Sequence, residues 1–169
     1  MVADTRDDTG PESPTRRAPW TEWVTFAARL GLAGVLFWAG WTKFTEPAPL
    51  QRQAVAAYEL LPDALIGPVG HGLPVLEMVL ALLLVVGFAT RLSAILSGLL
   101  MIVFIGGIAS AWARGLTIDC GCFGGGGTVA AGETKYLQEI LRDVGYLALA
   151  VWITVLAPGR LAVDRRIGL

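Results

Sequence analysis

Four long apolar stretches constrain what this chain can fold into, because each has about the length that crosses a lipid bilayer. A helix rises about 1.5 Å per residue, so roughly 20 apolar residues span the ~30 Å hydrocarbon core. The third stretch carries no charge, and the fourth becomes fully apolar only after Asp143. We therefore predict an all-α fold, a four-transmembrane-helix bundle. The predicted spans are Trp23–Trp41, Leu73–Ala89, Leu92–Ala113 and Tyr136–Ala157.

The composition agrees with a membrane protein that contacts the lipid bilayer. Hydrophobic residues make up 54% of the 169 residues and charged residues only 16%, which excludes a disordered chain and disfavours a soluble domain. The formal net charge is −1 and the basic residues are spread along the chain, so we expect no nucleic-acid partner.

The two ends of the chain differ from the spans. We predict a disordered tail over residues 1–20, a transmembrane domain over 21–158 and a basic tail over 159–169. The first apolar run is too long for a signal-peptide core and lacks a small-residue cleavage site, so a membrane anchor is favoured over a secretory or twin-arginine signal. An even number of spans puts both ends on one side, and the arginines near them place both termini in the cytoplasm of a multi-pass cell-membrane protein.

Two longer segments then lie outside the membrane. In the first, residues 44–72, we predict a short interfacial helix over Val55–Leu61 that Pro62 ends. The second segment, residues 114–135, connects the third and fourth spans and is called the cysteine loop below. The short connection through Thr90 and Arg91 makes the second and third spans an antiparallel hairpin.

The cysteine loop holds both cysteines of the chain, in the motif Cys120-Gly121-Cys122 followed by Phe123 and a run of glycines. Outside the membrane disulfides persist, and Gly121 permits the bend that brings the two sulfurs together. A ring this small is expected to be strained and exchangeable while adding little stability. We therefore favour a redox role for Cys120 and Cys122. A structural disulfide, or thiols that are inert or bind a metal, are the alternatives.

A metal site is the poorest of these interpretations. The two thiolates together with His71 or Asp119 make an incomplete set for zinc or copper, and His71 is distant in the sequence. We predict no metal site, and we interpret His71 as a loop or interface residue.

Charged side chains inside the predicted spans form a second group of candidates. At similar depth beneath the cysteine loop we expect a polar cluster of Glu77, Lys43 and Arg142, whereas Arg29 lies toward the opposite side and is expected to snorkel. The cluster either relays protons during thiol oxidation or binds a quinone head group, or it is a structural lock between helices. Further polar side chains expected near it are Glu139, Asp143 and Tyr146.

Five segments of the chain together resemble a known family. They are Ala57-Tyr58-Glu59-Leu60-Leu61-Pro62, Leu73-Pro74-Val75-Leu76-Glu77, Arg114-Gly115, Asp119-Cys120-Gly121-Cys122-Phe123-Gly124 and Leu141-Arg142-Asp143. This pattern resembles the MauE family, within the DoxX-like four-helix membrane proteins. Trp41-Thr42-Lys43-Phe44 is similar to the motif that ends the first DoxX-type helix.

The resemblance implies a membrane protein linked to disulfide formation. MauE proteins are associated with methylamine metabolism, in the maturation of methylamine dehydrogenase alongside a thioredoxin-like partner. By position, the resemblance makes Cys120 and Cys122 the redox pair and Glu77 the acid within the membrane. We thus expect a component of a thiol–disulfide oxidoreductase system with an extracytoplasmic thioredoxin-like partner. Because the chain has a single cysteine pair, electrons leave it directly to a quinone or to another protein.

An alternative of a different class is a non-catalytic membrane scaffold, or a quinone-oxidoreductase subunit of DoxX type. In that case loss of Glu77 or of residues 44–72 would harm function more than loss of the thiols. A small transporter is disfavoured, since the spans contain few polar residues and no inverted repeat is evident.

Overall fold

The computed structural model describes residues 19–130, 132–157 and 162–164. Within them the chain is mostly helical, with one small antiparallel hairpin in which Ile118 pairs with Thr128. The helices are α1 (Pro19–Phe44), α2 (Ala48–Ala56), α3 (Asp63–Val86), α4 (Thr90–Ala113) and α5 (Tyr136–Leu156), and the strands are β1 (Ile118–Asp119) and β2 (Gly127–Thr128).

Three of the described helices are long and apolar enough to cross a membrane: Trp20–Phe44, Asp63–Val86 and Thr90–Ala113. This agrees with an all-α membrane protein. Helix α5 coincides with the fourth predicted span, but its first two turns carry Glu139, Arg142 and Asp143. The crossing of α5 therefore stays a prediction.

The long helices pack side by side around one apolar core. Helix α1 contacts α3 and α5, and α4 contacts α5 and α3. Leu32, Leu36, Leu80, Leu84 and Ile153 are at most 1% exposed and fill the centre. The outward faces of these helices are apolar too, which is typical of a bundle that faces lipid rather than water.

Helices α1 and α3 approach closely at Gly40. A Cβ at this position would lie 2.8 Å from the Pro74 carbonyl oxygen and 2.8 Å from Met78 Cγ, so only glycine fits. Glu77 Cβ lies 3.2 Å from the position that a Cβ on Gly40 would take, so Glu77 is level with Gly40. Lys43 follows Gly40 by about one turn of α1, and its long side chain leans back toward the start of the helix, as helical side chains do. The close approach thus sets these two charged residues opposite each other.

Two helix boundaries differ from the sequence prediction, and proline explains both. Helix α2 forms over Ala48–Ala56, directly after Pro47, instead of over Val55–Leu61. Pro62 does not end that helix but precedes the first residue of α3, which begins at Asp63 rather than Leu73. Proline is favoured at a helix start because its φ is fixed and it has no N–H to leave unpaired.

The opposite end of the bundle is closed by residues 162–164. The Asp164 carboxylate accepts hydrogen bonds from the backbone N–H groups of Ala89 and Thr90, each at 2.7 Å, and so caps the start of α4. Arg29 lies at this end, is 1% exposed and is attracted electrostatically by Asp164. The guanidinium of Arg29 is thus covered by residues 162–164 at this end, and its snorkelling stays a prediction. Residues 1–18, 158–161 and 165–169, which include the rest of the predicted tails, lie outside the described residues.

We predict that Gly40→Ala lowers the free energy of unfolding by about 1–3 kcal/mol, because the methyl group would overlap the α3 backbone. Unfolding by sodium dodecyl sulfate in mixed micelles, followed by circular dichroism, measures this change. Gly34→Ala is the matched control, since a Cβ at Gly34 on the same helix would meet no described atom within 4 Å. Equal stability of the two variants would contradict the close approach.

Candidate functional site

The cysteine loop folds back on itself between α4 and α5. After β1 the chain turns through Cys120, Gly121 and Cys122 and returns to β2. Gly121 has a φ of +64°, a left-handed conformation that residues with a Cβ rarely adopt. A Cβ at Gly121 would also lie 3.2 Å from the Gly126 Cα, so the tight turn depends on glycine.

This turn brings the two cysteines together as free thiols. The Cys122 backbone N–H donates to the Cys120 sulfur at 3.2 Å, and the two thiol groups hydrogen-bond to each other. Cys120 is half-buried, whereas Cys122 is only 7% exposed and packs in a second apolar cluster with Ile108 and Ile118. The pair is thus asymmetric, with one half-buried cysteine and one buried cysteine.

Two tyrosines hold the loop in place. The Tyr136 hydroxyl donates to the Leu116 carbonyl at 2.6 Å and accepts from the Ile118 N–H at 3.0 Å. The Tyr58 hydroxyl donates to the Cys120 carbonyl at 2.9 Å. Burial, followed by the nearby cysteines and carboxylates, raises the pKa of Tyr58, so its hydroxyl remains a donor. The cysteine backbone is therefore fixed from both sides.

The Cys120 sulfur faces charged side chains of the first turns of α5. Arg142 Nη2 lies 3.8 Å from the sulfur, and the Arg142 guanidinium stacks over the Phe123 ring at 4.6 Å. The Glu139 carboxyl, which is 8% exposed, hydrogen-bonds with the Cys120 thiol. An arginine stabilises a thiolate and a carboxylate accepts a proton, so both groups suit a sulfur that ionises.

An ion pair lies between α1 and α3. Lys43 Nζ donates to Glu77 Oε1 at 2.5 Å, and Glu77 is 0% exposed. The ammonium group also lies 5.1 Å from the centre of the Phe104 ring and acts electrostatically on Cys122 and Asp143. The Lys43 ammonium therefore links the ion pair inside the bundle electrostatically to the thiol pair.

The structure divides the predicted polar cluster into two pairs. Lys43 contacts Glu77, whereas Arg142 turns toward Cys120, with its Nε 3.4 Å from Asp143 Oδ1. Tyr146 packs half-buried against the bundle core.

One group of potential metal ligands is present among the described residues. Ligand atoms of Asp119, Cys120 and Glu139 lie within 4.8 Å of one another. Asp119 is exposed and Arg142 already supplies a positive charge at the sulfur, so we assign no metal to the group. His71 is exposed on α3, where its Nδ1 lies 3.0 Å from the Gly67 carbonyl oxygen, and it is not part of this group.

An apolar cavity of about 240 Å³ adjoins the thiols. Its walls come from α1 to α4, the segment after α2 and the cysteine loop, and Cys120, Cys122, Lys43 and Tyr58 are among the residues that line it. The cavity places an apolar space beside a redox-capable pair.

Several of these residues were not singled out for the site from the sequence. They include Tyr58 at the Cys120 carbonyl, Gln51 in the cavity wall and Phe123 beneath Arg142. A signal was available for two of them, because Tyr58 and Phe123 both lie in the segments that carry the family resemblance. Gln51 lies in a polar stretch and gives no such signal.

The fold and site define a multi-pass membrane protein with a dithiol loop at one end of its helical bundle. Residues 21–156 match the family model described as methylamine utilisation protein MauE, which covers most of the chain. The chain therefore belongs to the MauE family, and the resemblance in its motifs is confirmed. It matches no curated protein and no solved structure.

The hydrogen bond with Cys120, together with burial, raises the pKa of Cys122 well above that of an ordinary thiol. At a given pH the thiolate fraction of Cys122 is therefore smaller, and its alkylation rate should still increase above pH ~9, where an ordinary thiol of pKa about 8.5 levels off. N-ethylmaleimide labelling of reduced protein across pH, read by mass spectrometry of each cysteine, measures this. Cys120→Ala, which removes the hydrogen bond, should lower the pH at which the Cys122 rate levels off. An ordinary plateau for Cys122 in the unsubstituted protein would contradict the prediction.

Proposed function

We propose that this protein is a membrane thiol–disulfide redox protein that exchanges disulfides with an extracytoplasmic thioredoxin-like partner through Cys120 and Cys122. The observation that carries this proposal is the contact of the two thiols across Gly121, with Arg142 and Glu139 at one sulfur. Cysteines that serve only as small apolar residues need neither a charged partner nor a bend of this kind.

The asymmetry of the pair assigns the two cysteines different roles. Cys120 is the more exposed of the two cysteines and faces the Arg142 guanidinium, so it is the one that forms the mixed disulfide with the partner. Cys122 is buried and its pKa is raised, so it stays protonated and acts on the neighbouring sulfur only. This arrangement lets a large partner reach one sulfur, while the other leaves when the disulfide opens and resolves the mixed disulfide when the exchange runs in reverse.

The proposed exchange balances as follows. A thiolate of the partner attacks Cys120 of the oxidised pair, the Cys120–Cys122 bond breaks, and Cys122 takes up a proton. A second thiol of the partner loses its proton and attacks the mixed disulfide, and Cys120 is released as a thiolate that takes up a proton. The partner thereby gains a disulfide, and this protein gains two thiols.

The side chains around Cys120 suit these steps. Arg142 stabilises the released thiolate by its charge, and Glu139 is placed to exchange a proton with the same sulfur. Tyr58 keeps the Cys120 carbonyl fixed, so the sulfur is held in one position during exchange.

Topology is the second part of the proposal. We propose that α5 is a fourth span, that both termini are cytoplasmic and that the cysteine loop lies outside the cell membrane. The correspondence of α5 with the predicted segment and its packing on α4 and α1 support this arrangement.

Trapping the mixed disulfide tests the roles of the cysteines. Cys122→Ser should accumulate a mixed disulfide between Cys120 and an oxidised thioredoxin-fold protein in the membrane fraction, because Cys122, which resolves this disulfide when the exchange runs in reverse, is missing. Cys120→Ser is the matched variant and should accumulate none through Cys122. Non-reducing electrophoresis followed by mass spectrometry of the adduct measures both. Trapping through Cys122 alone would contradict the assignment, and oxidation of the partner in the absence of both cysteines would favour the scaffold alternative.

Labelling of intact cells tests the topology. A membrane-impermeant maleimide should label Cys120 only after reduction, because an oxidised pair outside the membrane has no free thiol. Labelling without reduction would indicate external free thiols, which contradicts an oxidised resting state. No labelling after reduction of intact cells, together with labelling in lysed cells, would place the loop inside.

A further inference from the structure

We propose that the cavity beside the thiols binds the ring of a lipid-soluble quinone, which is the electron acceptor for Cys120 and Cys122. This inference rests on the proposed function, since it names the oxidant that restores the disulfide. It is carried by the size, walls, mouth and polar groups of the cavity.

The size of the cavity suits one substituted ring. At about 240 Å³ it exceeds the roughly 150 Å³ of an engineered apolar cavity that takes up benzene. Its walls are mainly apolar, with Leu73 and Phe104 among them, so they favour a flat apolar ring over a sugar or a peptide.

The mouth of the cavity lies where lipid is expected. Val103 and Leu61 line the cavity and are 66% and 37% exposed, so we take the side at Val103 as its mouth. Val103 precedes the end of α4 at Ala113 by about 15 Å of helix rise, which puts it well inside the apolar span. An occupant can therefore reach the cavity from the hydrocarbon core past Val103, as a molecule with an isoprenoid tail does.

Polar groups in the wall match the two oxygens of a quinone. Lys43 carries three N–H donors, of which one is directed to Glu77, so others are available for a carbonyl oxygen. Gln51 Nε2 donates to the carbonyls of Lys43 and Glu46, each at 2.9 Å, which fixes the orientation of the amide. Gln51 Oε1 is then buried without a hydrogen-bond partner among the described residues, and it suits the hydroxyl of the reduced ring.

The redox step balances with these components. Two S–H bonds break and one S–S bond forms between Cys120 and Cys122. The two electrons and two protons pass to the quinone, whose two carbonyls become hydroxyls. Both cysteines line the cavity, so no second cysteine pair is needed to carry the electrons to the lipid phase.

The experiment compares tryptophan at the mouth of the cavity with tryptophan beside it. Val103→Trp places an indole in the mouth, whereas Ile102→Trp is the matched control at an adjacent exposed residue that is not part of the cavity wall. Full-length protein in lipid nanodiscs is reduced, freed of reductant and mixed with decylubiquinone. Formation of the Cys120–Cys122 disulfide is followed by acid quench, maleimide trapping and mass spectrometry.

We expect decylubiquinone to oxidise the unsubstituted protein in a saturable manner, V103W at least about tenfold more slowly, and I102W within about twofold of the unsubstituted protein. Equal rates in V103W and I102W would overturn the cavity as the site. If V103W does not fold, Val69→Trp on the α3 wall takes its place.

Two further measurements separate this inference from the proposed function. Diamide should oxidise all variants alike, and failure of diamide to form the disulfide would overturn the redox pair itself. Disulfide formation by diamide but not by decylubiquinone would overturn the quinone as acceptor while leaving the redox pair intact.

A photoreactive azidobenzoquinone should crosslink to cavity residues in unsubstituted protein and I102W but not in V103W. Crosslinking equal in all three would overturn the site whatever the thiols do.

Discussion

Two opposite charges buried in an apolar bundle determine how the other parts of this structure lie. Removing the Lys43 ammonium and the Glu77 carboxylate from water costs several kcal/mol each, and only close contact offsets that cost. The contact is 2.5 Å and depends on the close approach of α1 and α3 at Gly40. Sliding one helix by a turn would leave both charges unpaired in an apolar environment. The ion pair therefore fixes one register of α1 against α3. The cavity and the cysteine loop lie at the end of the bundle where this ion pair is found.

The cysteine loop needs a different kind of support, because irregular backbone beside a membrane must find its own hydrogen-bond partners. Tyr136 supplies them from α5 and Tyr58 from the segment after α2. Their positions also create the asymmetry of the thiols. Cys122 is turned into an apolar cluster, whereas Cys120 faces Glu139 and Arg142. Burial and charge thus give two chemically identical side chains different environments.

Under the proposed function this asymmetry has a spatial meaning. A water-soluble partner meets the half-buried sulfur of Cys120, while the apolar cavity reaches the same pair from the side of the lipid. One dithiol between water and lipid is sufficient for a two-electron transfer, since formation of its disulfide releases two electrons. Lys43 contacts each of these parts, because it pairs with Glu77, lines the cavity and interacts electrostatically with Cys122.

The sequence by itself determined the apolar helices and the family, and it singled out Cys120 and Cys122 as candidates, because length, hydropathy and motif spacing are local properties. It also placed Lys43 and Glu77 at one depth, since helix rise converts residue number into position along a span. Only the tertiary structure decided that Arg142 turns to Cys120, that Asp164 covers Arg29 and that Tyr58 and Gln51 join the site. Those outcomes depend on the rotation of each helix about its axis and on the path of the chain between helices. Packing among distant residues sets both, and no local pattern encodes them.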